Sequence, residues 1–229
     1  MTSSASVEYD ERDVARPEID EIQRETSKPH SFETVMRQTP NLPMPNPTLQ
    51  IADGDHTRGR TDAPTTVLVY GDYECPHTRA LELSLARLRR LAPGAFRSVF
   101  RHFPLREIHP HAQQAAEAAE AAYAMQGADA FWVMHDGLFA HQDQLDVAGL
   151  ERQGREAGVD PVALGAALET HRFGDRVERD VRSGTANDVS GTPSIFINGE
   201  RYRGARDVAS LRVAMASALG GTTGSGSTS

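Results

Sequence analysis

The apolar positions of this chain change period several times, and each change marks a predicted element. Residues 66–70, Thr-Val-Leu-Val-Tyr, form an almost continuous apolar run that predicts a buried strand. Leu81, Leu85 and Leu88 then recur at the spacing of one helix face. Residues 96–103 return to a strand-like pattern. The order strand, helix, strand implies a parallel pair joined by a crossover.

A long helical region is predicted after the second strand. Residues 109–183 read as helical throughout, and residues 112–125 are rich in alanine and glutamate, which favour helices. Asp146 is placed to cap a helix over residues 147–157. Pro161 occupies the favoured first position of a further helix. The pattern therefore predicts a block of several helices in the middle of the chain.

Strand-forming residues return towards the C-terminus. Residues 189–202 read as a turn, a strand, an Asn198-Gly199 hairpin and a return strand. Residues 207–219 form an amphipathic helix. Without its helical block, the order is β-α-β followed by β-β-α. The predicted fold class is therefore α/β, the skeleton of a thioredoxin fold with a mixed central sheet and an inserted helical domain.

The two ends of the chain differ in composition from its middle. The first 50 residues hold six prolines and nine acidic against five basic residues. Such a composition predicts that residues 1–52 are a disordered acidic, proline-rich extension. Residues 220–229, rich in glycine, serine and threonine, predict a flexible tail. The folded domain is expected over residues 53–219, with the helical insertion at about residues 106–184.

Charge and hydropathy narrow the possible functions. The formal net charge of −8 argues against nucleic acid as the main partner. No window approaches the ~18 to 20 apolar residues of a transmembrane helix, so membrane insertion is not expected. The N-terminal residues lack the basic start and apolar run of a secretory signal. A single cysteine rules out a structural disulfide framework, and the expected location is cytoplasmic.

That single cysteine, Cys75, lies where the first predicted strand gives way to a helix, in the run Cys75-Pro76-His77-Thr78. Unpaired backbone N–H groups and the helix dipole at such a position stabilise a thiolate. Pro76 suits the first helical turn, and a protonated His77 would add positive charge. Thr78 offers a hydroxyl one turn away, but it cannot attack a mixed disulfide. The pattern is typical of a redox cysteine, with an inert buried cysteine as the alternative.

A second candidate element is Gly191-Thr192-Pro193 before the third predicted strand. This context favours a cis bond between Thr192 and Pro193, although cis is adopted by only ~5–6% of X-Pro bonds. Cis geometry would turn the Thr192 backbone towards an extended peptide and allow strand-like pairing. Thr192 and Pro193 are therefore the predicted substrate-binding residues.

The histidines and carboxylates do not predict a metal site. His109-Pro110-His111 is too short to place two ligands on one helix face, and no carboxylate or cysteine falls at a recognisable ligand spacing. His111 is instead expected to open the following helix, and His135 to lie against the core. Glu117 and Glu120 are interpreted as a solvated helix face.

Together these motifs resemble a DsbA-like member of the thioredoxin superfamily over residues 55–219. The motifs that carry the resemblance are residues 70–77, 100–105, 109–112, 131–132, 135–136, 191–193 and 197–199. The chain is similar in detail to the soluble thioredoxin-like domains fused to some NhaA-type sodium/proton antiporters. The resemblance implies that Cys75 attacks a disulfide beside a cis Pro193. The role of the second, resolving cysteine does not carry over, because Thr78 stands in its place.

Three functions stay open. The leading hypothesis is a monothiol thiol-disulfide oxidoreductase in which Cys75 forms mixed disulfides with protein or small-molecule thiols. It needs no bound cofactor, but an external thiol must release the product, and glutathione or an equivalent is a possible co-substrate. A glutathione transferase or isomerase of the kappa type would use the same scaffold without a redox pair. The third hypothesis is a non-catalytic module that binds extended peptide beside Pro193. Oligomeric state is open.

Overall fold

The computed structural model describes residues 49–220. The predicted extension and tail therefore lie mostly outside the described residues. Five strands are found in this part of the chain: β1 His56–Arg58, β2 Thr65–Gly71, β3 Phe96–His102, β4 Ser194–Ile197 and β5 Glu200–Tyr202. The helices are α1 Pro76–Leu91, α2 Ala112–Gln126, α3 Ala128–Ala140, α4 Val147–Glu156, α5 Pro161–Glu169, α6 Gly174–Ala186 and α7 Val208–Gly220.

The strands form one mixed sheet in the order β1-β3-β2-β4-β5. β2 and β3 are parallel, joined by the α1 crossover, while β1 and β4 run antiparallel to their neighbours. β4 and β5 form the predicted hairpin, and Asn198 and Gly199 both have positive φ at its turn. The predicted mixed α/β architecture is confirmed. Strand β1 was not predicted, because three residues with no apolar alternation give no recognisable pattern.

The continuous apolar run of β2 exists because both faces of the strand are covered. Val67 and Val69 point into a large core that also contains residues of α1 and the inserted helices. Leu68 and Tyr70 alternate to the opposite face, where they pack with Phe103 and neighbouring apolar side chains. Helices therefore pack against both faces of the sheet: α1, α7 and inserted helices lie on the Val67 and Val69 face, and α6 lies on the Leu68 and Tyr70 face.

Helix α2 corrects one expectation. Glu117 and Glu120 are buried, with 1% and 3% of their surfaces exposed, and they do not form a solvated face. The helix is buried on nearly every side because its alanines allow α3, α5 and α6 to approach closely. The two glutamates are retained in this interior by hydrogen bonds from His171 and from a pair of histidines described below.

Helices α4 and α5 begin as predicted. The side chain of Asp146 accepts a hydrogen bond from the Gly149 amide, and Asp160 does the same for Ala163 ahead of Pro161. Across residues 49–220 no helix combines the length and the apolar character that crossing a membrane requires.

Candidate active site

Cys75 is the N-cap residue of α1, and its backbone is extended with φ −78° and ψ 119°. Its carbonyl accepts hydrogen bonds from the amides of Thr78 and Arg79, which closes the first turn. Pro76 occupies the first helical position, where the absent N–H costs no helical hydrogen bond. The sulfur therefore lies at the positive end of a 16-residue helix, in the position that the sequence predicts.

The fold brings the two predicted elements together. The peptide bond between Thr192 and Pro193 is cis. The Cys75 thiol donates to the carbonyl oxygen of Thr192 across 3.4 Å, although the two residues are 117 positions apart. Pro76 and His77 are exposed, while Cys75 itself is only 4% exposed. The sulfur therefore lies at the edge formed by α1 and the Thr192-Pro193 turn, with little of the cysteine exposed.

Thr78 lies on the inner side of α1 and is completely buried. Its methyl group packs beside Gly71, where an added Cβ would lie 2.9 Å from Thr78 Cγ2 and would overlap the Phe100 ring. Its hydroxyl has no hydrogen-bond partner among the described residues, and the same holds for the buried hydroxyl of Thr192. Thr78 and Thr192 thus each carry a buried hydroxyl that has no hydrogen-bond partner in the described structure.

The loop that enters the site is held by Asp72, a buried carboxylate. One oxygen accepts from the Glu74 amide at 2.8 Å, and the other accepts from the Leu105 amide and from His109 Nδ1, each at 2.8 Å. The Asp72 carbonyl accepts from the Cys75 amide at 3.2 Å. The carboxylate therefore fixes both the loop before the cysteine and the segment that enters the helical insertion.

Glu74, one residue before Cys75, contacts His111 in the same way as Asp72 contacts His109. Its carboxylate accepts from the His111 amide at 2.7 Å and lies 3.1 Å from His111 Nδ1. His111 is also the N-cap residue of α2, as expected. The spacing of the two acids matches the spacing of His109 and His111, but the sequence interpretation did not pair them. The equal spacing in the sequence was the signal that could have predicted the contacts of Asp72 with His109 and of Glu74 with His111.

A buried polar pair lies behind the loop. Tyr73 Oη is 3.0 Å from His135 Nδ1, and both side chains are almost wholly enclosed. Burial raises the pKa of Tyr73 well above its ordinary value and lowers the pKa of His135. Both side chains are therefore neutral near pH 7. The prediction that His135 lies against the core is confirmed.

Two buried histidines and a buried glutamate form a cluster whose residue types are those of a metal site. His56 Nε2 and His102 Nε2 lie 2.8 and 2.9 Å from the same oxygen of Glu120, and the three ligand atoms are within 4.8 Å of one another. Burial opposes ionisation of Glu120, but hydrogen bonds from His102 and His56 outweigh it and hold its pKa below the ordinary range. The sequence interpretation missed this cluster, because it joins β1, β3 and α2.

The surroundings of the cluster do not suit a cation. Arg176 Nε is 3.5 Å from the same Glu120 oxygen and would repel a metal ion. His102 Nδ1 is buried without a hydrogen-bond partner in the described region, whereas a metal-bound histidine normally donates that second N–H. The cluster is instead a hydrogen-bonded network that ties an edge strand and a central strand to α2.

Comparison with known proteins covers the same region. The family model described as Thioredoxin matches residues 52–216. The Na(+)/H(+) antiporter NhaA 3 of Salinispora tropica is 43% identical over 167 residues, which are 73% of this chain and 25% of that protein. The Na(+)/H(+) antiporter NhaA 1 of Mycolicibacterium gilvum is 41% identical over 159 residues, 69% of this chain and 25% of that protein. The chain thus spans about a quarter of the length of these curated relatives.

Solved structures show the same fold at low sequence identity. Oxidised BdbD from Bacillus subtilis superposes with a TM-score of 0.67 at 21% identity, covering 80% of this chain and 99% of that one. Alpha-DsbA1 from Wolbachia pipientis superposes with a TM-score of 0.62 at 17% identity, covering 73% of this chain and 92% of that one. The central sheet and the inserted helices are therefore an arrangement that DsbA-type structures share.

Proposed function

Because the chain belongs to the thioredoxin family, we propose that it is a monothiol thiol-disulfide oxidoreductase with Cys75 as its nucleophile. The resemblance and the thioredoxin-type fold drawn from the motifs are confirmed. One observation supports the assignment to Cys75: its sulfur lies at a helix N-terminus, 3.4 Å from the carbonyl that precedes a cis-proline. Thr78 occupies the position of a resolving thiol, so the chemistry must finish with an external thiol.

The proposed reaction has two exchange steps. The Cys75 thiolate attacks one sulfur of a disulfide, which forms a mixed disulfide and releases the other half as a thiolate. A second thiolate from solution then attacks the substrate sulfur of the mixed disulfide. This step returns Cys75 as a thiolate and leaves a new disulfide between the two external thiols. Electrons move only between the external thiols, and Cys75 ends each cycle reduced.

Each neighbouring residue has a distinct part in this proposal. The N–H groups of the first turn of α1 stabilise the thiolate, and Pro76 sets the backbone that presents it. His77 is exposed beside the sulfur and is available to a substrate. The Thr192 carbonyl and Pro193 form the opposite side, where the backbone of a peptide or small molecule can align. The buried hydroxyls of Thr78 and Thr192 have no partner in the described structure, and we assign them the role of donors to the ionised sulfur.

The direct test is mass spectrometry of the intact protein after incubation with oxidised glutathione near neutral pH. We expect one glutathionyl adduct on Cys75, released by an added monothiol, and no adduct on Cys75→Ser. Repeating the incubation in the presence of unfolding concentrations of urea gives the reference reactivity of an unperturbed thiol. A folded protein that reacts more slowly than the unfolded chain would contradict the proposal.

A second function is favoured by the low exposure of the sulfur. Cys75 is 4% exposed and hydrogen-bonded, as in a site that binds peptide at the Thr192-Pro193 edge without reacting. Peptide binding that is unchanged in Cys75→Ala, together with absence of the glutathionyl adduct, would favour this module over the enzyme.

The proposed compartment is the reducing cytoplasm, since a lone cysteine suits a setting where thiols are not consumed in disulfides. Intact cells can be treated with a membrane-impermeant maleimide before lysis. Labelling of Cys75 is expected only after the membrane is opened. Labelling of Cys75 in intact cells would show that the site lies outside the cytoplasmic membrane.

A further inference from the structure

The motif His109-Pro110-His111 has no part in the proposed exchange steps, yet His109 is hydrogen-bonded to the loop that carries Cys75. His109 Nδ1 lies 2.8 Å from Asp72 Oδ2, and 16% of the His109 side chain and none of the Asp72 side chain is exposed. The pair joins the segment before α2 to the loop between β2 and α1. His109 therefore contacts the loop of the cysteine through the side chain of Asp72.

Asp72 fixes the turn at which Cys75 begins α1. The Asp72 carbonyl accepts from the Cys75 amide at 3.2 Å, and Asp72 Oδ1 accepts from the Glu74 amide at 2.8 Å. The first bond closes a four-residue turn from Asp72 to Cys75, and the second braces that turn with a side-chain oxygen. The Cys75 backbone is held at φ −78° and ψ 119°, the extended conformation of an N-cap residue. The conformation at Cys75 therefore depends on the orientation of the Asp72 carboxylate.

The other oxygen of Asp72 is held by a single turn of the following segment. Oδ2 accepts from the Leu105 amide at 2.8 Å and lies at the same distance from His109 Nδ1. Leu105 and His109 are joined to each other, because the His109 amide donates to the Leu105 carbonyl at 2.9 Å. An ionised carboxylate only accepts, so this contact requires a proton on His109 Nδ1. Within residues 49–220 the other donors to this carboxylate are backbone amides, so His109 is the donor that a substitution can remove.

We propose that His109 is a positioning residue for thiol-disulfide exchange at Cys75, acting through Asp72 on the turn that presents the cysteine. The inference rests on the proposed exchange and adds to it a residue outside α1. With the His109 donor removed, Asp72 Oδ2 keeps only the Leu105 amide. The carboxylate can then rotate away from the Glu74 amide and release the turn. Cys75 would leave its N-cap conformation for part of the time, which moves the sulfur away from the N–H groups of the first helical turn.

The test measures the rate of glutathionyl adduct formation at Cys75 under conditions in which each variant is fully folded. His109→Leu removes the donor, and we expect the rate constant to fall about fivefold to tenfold, less than the ~100-fold cost of a misplacement by 1 Å. His109→Asn places an amide N–H near the position of Nδ1 and should keep the rate within about twofold of wild type. If His109→Leu does not fold, His109→Gln replaces it, because its amide nitrogen extends beyond the position of Nδ1.

His171→Ala is the matched control. His171 Nδ1 lies 3.1 Å from Glu117 Oε1, so this variant also removes a contact between a histidine and a buried carboxylate. The contact lies within the helical insertion, between α2 and the turn that joins α5 to α6. His171→Ala should lower the free energy of unfolding and leave the rate at Cys75 within about twofold of wild type.

Amide hydrogen exchange separates a local effect on the turn from a general loss of stability. In His109→Leu the Cys75 and Glu74 amides should exchange faster relative to the Leu85 amide of α1, whereas His171→Ala should keep the wild-type ratio. The inference would be overturned, while exchange at Cys75 stands, by a wild-type rate in folded His109→Leu or by an unchanged exchange ratio. Equal rates in His109→Leu and His109→Asn, or an equal loss in His171→Ala, would overturn it as well. Failure of the wild-type protein to form the adduct would instead overturn the proposed function.

Discussion

At the scale of single residues, the most informative position is the one where a second thiol would be expected. Thr78 is completely buried and its hydroxyl has no partner in the described structure, an arrangement that costs about 1–3 kcal/mol. If Cys75 is the nucleophile that we propose, the Thr78 hydroxyl is a candidate donor to its ionised state. A substitution at Thr78 is therefore expected to change the stability of the fold and the reactivity of Cys75 in opposite directions.

Replacing Thr78 by valine keeps the shape of the side chain and removes the hydroxyl. We expect Thr78→Val to raise the free energy of unfolding by about 1 kcal/mol, because an unpaired polar group is no longer buried. The same variant should slow alkylation of Cys75 by iodoacetamide at least twofold. Thr78→Ser retains the hydroxyl and is the control for the rate. A valine variant that is less stable and reacts at the wild-type rate would remove any role of the hydroxyl.

Replacing Thr78 by cysteine tests whether the surrounding site is intact. The side chain is one helical turn from Cys75, so Thr78→Cys would supply the missing dithiol. We expect this variant to catalyse reduction of insulin disulfides by dithiothreitol above the rate of the wild-type chain. Thr78→Ser again serves as the control. Absence of any gain over Thr78→Ser would indicate that the edge formed by α1 and the Thr192-Pro193 turn does not admit a protein disulfide.

At the scale of elements, the segment that enters the helical insertion is tied to the loop before Cys75 through Asp72. Asp72→Ala would leave the Glu74 and Leu105 amides and His109 without their acceptor, so we expect a loss of about 3 kcal/mol in the free energy of unfolding. Urea denaturation measures this loss. Asp143→Ala changes an exposed carboxylate and should shift stability by less than about 0.5 kcal/mol. Similar effects for both variants would show that the hydrogen bonds accepted by Asp72 do not stabilise the fold.

The elements that could be predicted are those whose pattern is local. Strand β2 and helix α1 follow from apolar spacing, and the site at Cys75 follows from the junction between them. Strand β1 could not be predicted, because its three residues are specified by pairing with β3. Glu120 was assigned to solvent because glutamate among alanines gives the same pattern on a buried or an exposed helix. Only the tertiary contacts with His56 and His102 distinguish the two cases.

At the scale of the whole molecule, the inserted helices and the sheet share one hydrophobic core. Phe131 and Leu150 of the insertion belong to the same cluster as Val69 of β2 and Leu85 of α1. Buried hydrogen bonds also connect the insertion to the sheet, because Glu120 of α2 contacts His56 of β1 and His102 of β3. We therefore expect the described region to unfold as one unit, with loss of the insertion and loss of the active site coinciding in a denaturant titration.

This shared core also predicts how stability changes with pH. Burial lowers the pKa of His135 and of His56 below the ordinary value of histidine, which is about 6.5. Between the lowered pKa and about 6.5, the unfolded chain holds more protons than the folded protein. We therefore expect these two histidines to lower stability as pH falls below about 6.5, by up to about 1.4 kcal/mol per pH unit for each. The decrease ends once the pH is below the folded pKa values.

Urea unfolding at pH 7.5, 6.5 and 5.5 would measure this slope, and His135→Gln should reduce it by removing one of the two buried titrating groups. Met134→Ala is the control, because it alters a fully buried neighbour on α3 and leaves both histidines in place. It should lower stability equally at every pH and keep the wild-type slope. A wild-type protein whose stability is constant over this range would contradict the buried neutral histidines. A His135→Gln slope equal to that of Met134→Ala would exclude His135 as a source.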